Sequence, residues 1–166
     1  MKTIMKMCIY LPVAAVLFTT ALASSAAAQK PVPFSGSLQG HETDIFQGPP
    51  PGTLDVNGNG SGIATHIGQF SVTWQLTVNL EDGTATGSFR FIAANGDAVD
   101  TTIAGSSEPT DTPGVVRITE INAITGGTGR FTNAKGSFTV ERLVDLNTGF
   151  TSGSFHGRIT SPGSAK

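Results

Sequence analysis

Residues 69–80 read Gln69-Phe70-Ser71-Val72-Thr73-Trp74-Gln75-Leu76-Thr77-Val78-Asn79-Leu80, with an apolar side chain at every even position and a polar one at every odd position. Period two sustained over this length describes a β-strand with one face in a core and the other in water. An α-helix would scatter Phe70, Val72, Trp74, Leu76 and Val78 around its circumference. The neighbouring sequence continues the pattern. Glu81-Asp82-Gly83 is a turn, Thr84 to Ala94 is the returning strand, and Asn95-Gly96-Asp97 is a second hairpin signal leading into Ala98 to Gly105. Val115 to Thr125, Ser137 to Leu146 and Thr151 to Thr160 read as later strands, with Asn147-Thr148-Gly149 turning between the last two.

Upstream, Phe34 to Thr43 and Ser61 to Ile67 are weaker strands. The total is about eight strands, and no segment shows sustained helical periodicity. With 21 Gly, nine Pro and only 13% charged residues, the composition excludes a helical bundle or coiled coil. The expected fold class is all-β. An eight-stranded antiparallel barrel and a β-sandwich both suit the pattern, because alternation is the same in each. Two loops interrupt it. Gln47 to Gly52 holds Pro49-Pro50-Pro51 and is expected to be stiff, whereas Ser106 to Gly114, with Pro109 and Pro113, is expected to be a mobile surface loop.

The first residues do not belong to this pattern. Lys2 and Lys6 precede a mostly apolar run from Cys8 to Ala23, and Ala26-Ala27-Ala28 offers a small-residue cleavage site. Residues 1–28 are therefore expected to be a signal peptide and 29–166 a single β-domain, secreted or periplasmic after cleavage near Ala28. The apolar run is short for a membrane span and contains Pro12, so no span is expected in the mature chain. Loss of Lys2 and Lys6 moves the formal charge from −2 to −4 and removes Cys8, the sole cysteine. Disulfides are then excluded, and so is a basic nucleic-acid surface.

Strand parity also nominates a site. Val116, Ile118, Glu120, Asn122 and Ile124 share one face of a strand, and Phe138, Val140, Arg142, Val144 and Leu146 share one face of the next. Glu120, Asn122 and Arg142 thus interrupt apolar faces. Facing inward, they would form a polar cluster in an apolar interior, either as a structural ion pair or as a ligand site. Glu120 is the candidate catalytic acid or base, and Asn122 and Arg142 are candidate ligand-binding residues. Trp74 is the candidate aromatic platform for a ligand, its alternative being an ordinary core position.

Other motifs carry less. Asp55-Val56-Asn57-Gly58-Asn59-Gly60 matches the first half of a calcium loop, but His66 stands where the closing Glu belongs, and a turn accounts for the same residues. His41, His66 and His156 are isolated, so no metal site is expected. No cofactor motif or nucleophile elbow is present.

Gly126-Gly127-Thr128-Gly129-Arg130-Phe131, followed by Ala134 and Gly136, resembles a signature of the allene oxide cyclase and dirigent barrels. The resemblance is close over about twenty residues and looser from Phe34 to Ile159. It implies an eight-stranded antiparallel barrel with a mostly apolar interior, assembled as a homo-trimer. It further implies activities such as cyclisation of an unsaturated epoxide or steering of radical coupling. The working residues of those families include tyrosines, and residues 29–166 contain none. The sequence thus leads to an exported barrel that binds a small apolar or amphipathic ligand. A cyclase or isomerase acting on such a ligand and a packed, non-enzymatic envelope protein are the alternatives.

Overall fold

The computed structural model of the chain describes residues 30–160. Eight strands follow one another: β1 (Pro31–Gln47), β2 (Thr53–Ala64), β3 (Gly68–Asn79), β4 (Thr84–Ala93), β5 (Ala98–Pro109), β6 (Val115–Gly127), β7 (Gly136–Asp145) and β8 (Phe150–Thr160). Each pairs antiparallel with the next, and β8 returns to β1 along a ladder from Pro31↔Thr160 to His41↔Phe150. That last ladder closes the barrel and removes the sandwich alternative. It also pairs the sheet edges with each other, except where β1 runs on from Thr43 to Gln47 paired with β2 alone. The expected signal peptide lies outside the described residues.

Strand direction alternates, so the two ends of the barrel differ. The β1–β2, β3–β4, β5–β6 and β7–β8 connections surround one end, here termed the mouth. The other connections gather at the base, together with residues 30 and 160. Apolar side chains point inward and Ser, Thr, Asn and Gln point outward along β3 and its neighbours. This is the reverse of a lipid-facing barrel surface. No helix among the described residues is long and apolar enough to cross a membrane.

The base half is filled by rings. Phe34, Phe70, Phe91, Phe138 and Phe155 form one cluster with centroids 5.1 to 6.2 Å apart, several of them edge to face. Burial of each ring contributes about 1.5–3 kcal/mol, before the further gain from edge-to-face packing. The Gly-Gly-Thr-Gly-Arg-Phe segment plugs this end. Thr128 exchanges two hydrogen bonds with Ala98, its N–H donating to the carbonyl and its Oγ1 accepting from the N–H, both at 2.9 Å. A short 3₁₀ turn over Gly129–Phe131 then carries Phe131 into the base, where it is fully buried. Gly129 adopts φ 55°, and a side chain there would collide with Asp97, so both backbone and space require glycine.

Above the rings, Trp74 spans the interior against Phe89, centroids 5.5 Å apart. It fits because the facing residues lack side chains. A Cβ at Gly58 would run into the indole, and one at Gly40 would come within 2.9 Å of its Cη2.

Two expectations for the chain path are corrected. Asp55 to Gly60 forms neither a calcium loop nor a turn; it is the heart of β2, paired on one side with β1 and on the other with β3. The Asn-Gly pairs resemble turn chemistry, but here Asn57 and Asn59 face water while Gly58 and Gly60 make interior space. Nor is Ser106 to Gly114 wholly a loop. β5 runs on to Pro109, paired with Val116, because proline at a strand terminus costs no ladder bond. The connection is only Thr110 to Gly114.

Gly58→Ala should cost about 1–3 kcal/mol, the usual range for overpacking a core. In a Trp74→Phe background the same change should cost less. Urea denaturation of the four proteins in this cycle measures the coupling, and an equal loss in both backgrounds would contradict the packing described.

Candidate ligand-binding site

The mouth half is not filled. Above Trp74 lies a cavity of about 430 Å³ that opens between the mouth loops. This is within the range of about 300–1,000 Å³ common for small-molecule sites. Its wall is apolar: Leu54 and Val56 from β2, Leu76 and Val78 from β3, Ala85 from β4, and Val116 and Ile118 from β6. Phe46, Leu80 and Leu146 stand on the rim, 74%, 40% and 55% exposed. Leu146 lies one residue past the end of β7, at the mouth and not in the core its parity implied.

Arg142 rises from β7 into the floor of this cup, with only 2% of its side chain exposed. Its Nε donates to Glu120 Oε2 at 3.1 Å and its Nη2 to Glu120 Oε1 at 3.0 Å, a two-pronged pair. Its Nη1 donates to Glu42 Oε2 at 2.7 Å and to Thr151 Oγ1 at 3.1 Å. The guanidinium also sits 5.6 Å from the Trp74 ring centroid, and the indole Nε1 donates to Glu42 Oε2 at 3.2 Å. Glycines again admit the large groups: a Cβ at Gly105 would meet Glu120 and one at Gly153 would meet Arg142.

Burial opposes the charge on Arg142, but Glu120 and then Glu42 outweigh it and hold the guanidinium above its ordinary value. Asp44, two residues beyond Glu42 on the inward face of β1, lines the cup with no ion pair among the described residues. Partial burial, and then the charge of Glu42, raise its carboxyl above the usual value of 3.8, with Arg142 pulling the other way.

Glu120 and Arg142 both line the cavity. Trp74 and Asn122 do not line it; they lie beneath it. Asn122 is fully buried and accepts a hydrogen bond at Oδ1 from Thr101 Oγ1 at 2.9 Å, holding β5 to β6 under the cluster. Glu120 spends both oxygens on Arg142, so its geometry is that of a counter-ion. Asp44 is the carboxyl that faces the cavity unpaired.

Sequence reasoning missed Glu42, Asp44, Thr101 and Thr151. The signal for the first two was present: from Phe34, alternate residues run Gly36, Leu38, Gly40, Glu42, Asp44 and Phe46. The interleaved glycines concealed that face. His41, His66 and His156 are all exposed, and among the described residues no three His, Cys, Asp or Glu side chains are placed to hold a metal ion.

Arg142→Met leaves Glu120 buried and uncompensated and should cost about 3–5 kcal/mol. Arg142→Met with Glu120→Leu should recover part of that loss, Glu42 keeping only its bond from Trp74, as read by urea denaturation; a double variant no more stable than the single would contradict the pairing. Asp44→Asn should raise the melting temperature at neutral pH. A raised carboxyl pKa favours the folded state below the unfolded value of 3.8, and that contribution is lost as pH rises through the folded value. The gain should therefore vanish in acid below 3.8, as melting curves across the pH range would record.

No family model matches the chain, and no curated protein matches it. Among solved structures it is similar to a pterocarpan synthase dirigent protein at 14% identity and a TM-score of 0.52, covering 87% of this chain and 98% of that one. At this identity the likeness is one of fold: the chain is a closed eight-stranded antiparallel barrel similar in fold to that dirigent protein.

Proposed function

We propose that this protein binds a small amphipathic molecule in the mouth half of its barrel, with the apolar body against β2, β3 and β6 and the polar group on the floor. The observation that carries the reading is the juxtaposition of an open, apolar-walled cavity with a buried charged cluster at its base. A barrel serving only as a rigid body gains nothing from an empty half, since unfilled interior forfeits packing contacts. We further propose, from residues 1–28, that binding takes place outside the cytoplasm.

A second reading is a cyclase or isomerase. Asp44 favours it, as an unpaired carboxyl of raised pKa facing a cavity that could orient a flexible substrate. The solved protein of similar fold is a synthase by name, which supports the same direction. In this reading Asp44 moves the proton and the Arg142 cluster fixes the polar end of the substrate. Glu120 orients Arg142.

An environment-sensitive apolar dye should gain fluorescence on mixing with the protein. Ser107→Phe, which places a ring in the cup from β5, should remove that gain while far-UV circular dichroism stays unchanged. Dye uptake that survives in the variant would place binding elsewhere and overturn the reading.

A further inference from the structure

The polar end of the cup offers acceptors and almost no donors. Four of the five N–H groups of Arg142 are committed to Glu120, Glu42 and Thr151, so the guanidinium has little left for an incoming anion. Glu42 is different. Its side chain is only 7% exposed, yet Arg142 and Trp74 both bond to the same oxygen, Oε2, leaving Oε1 without either partner. Asp44 adds a second carboxyl beside it. One guanidinium therefore faces three carboxylates, and the two acids with capacity to spare are those nearest the mouth.

The charge of the whole barrel is arranged the same way. Of the 12 acidic residues, all but Asp97 and Asp100 lie in the mouth half of their strands or in the mouth loops. Among the described residues, Lys30, Arg90, Arg130, Lys135 and Arg158 lie in the base half. Of the described Lys and Arg residues, Arg117 alone lies on the outside of the mouth half and Arg142 alone within it. A low-dielectric cup ringed by a single sign of charge focuses potential into its opening.

We infer that the ligand carries a positive charge, an amine or other cationic group on an apolar body, which seats against Glu42 Oε1 and Asp44 with the body along the Leu54, Leu76 and Ile118 wall. This assignment rests on the binding reading given above and names its ligand class. The apolar wall supplies affinity for the body. The floor selects against a carboxylate, which would meet Asp44 and the free oxygen of Glu42, and against a neutral alcohol, which gains no ionic contact.

Three probes of one shape separate the possibilities: naphthylmethylamine, naphthylmethanol and naphthoate, titrated into the purified protein by calorimetry at neutral pH. The amine should bind about tenfold more tightly than the alcohol, a preference moderated by the open mouth and weakened by added salt. Naphthoate should bind most weakly. Asp44→Asn and, separately, Glu42→Gln should each reduce the preference for amine over alcohol. Asp44→Asn leaves the Arg142 ion pairs in place and so gives a folded variant even where Glu42→Gln does not. Equal binding of amine and alcohol, or tighter binding of naphthoate, would overturn the charge assignment and leave the pocket standing. Failure of all three probes to bind would overturn the pocket reading as well.

Discussion

A guanidinium in the middle of a barrel sets the terms for everything around it. Removing Arg142 from water is tolerable only because Glu120, Glu42 and Thr151 meet its donors from three other strands, β6, β1 and β8. Each of those partners must arrive at one height in the barrel, which ties the register of four strands to a single side chain. The same requirement divides the interior. Below the cluster, aromatic rings and Trp74 fill the space. Above it, bulky side chains retreat to the wall, and the cup is what remains.

Much of this was legible in the sequence because alternation is a direct record of which way a strand faces. Residues 69–80 announce their buried face without ambiguity, and the parity of β6 and β7 is enough to bring Glu120, Asn122 and Arg142 to the interior side. The same logic failed on β1 and β2 for a physical reason. Gly36, Gly40, Gly58, Gly60 and Gly62 interrupt their inward faces, so the apolar alternation is broken there, although the glycines are what make room for Trp74 and Phe155. Glu42 and Asp44 were hidden in that quiet stretch. Their importance depends on Arg142, a hundred positions beyond Glu42 in sequence, reaching over β8 to bond it.

The distinction between Trp74 as platform and Trp74 as floor turns on the same point. A strand pattern tells which face a residue joins and says nothing of its height along the barrel axis. Trp74 and Asn122 lie one layer below the cavity, where they support Glu42 and Glu120, and only the closed register reveals that layer. Height also separates Glu120 from Asp44. Both are acids on inward faces, but one is deep enough to be fully buried beside a guanidinium and the other stands where solvent and a ligand can reach it.

The base, plugged by Phe131, is also where the described chain enters and leaves: Pro31 pairs with Thr160 at the end of the barrel opposite the cup. Anything covalently joined there, whether a tether, a carrier or a solid support, is attached on the far side of the molecule from the opening. The barrel can be displayed on a surface with its cup facing the surrounding fluid, as a goblet stands on its stem.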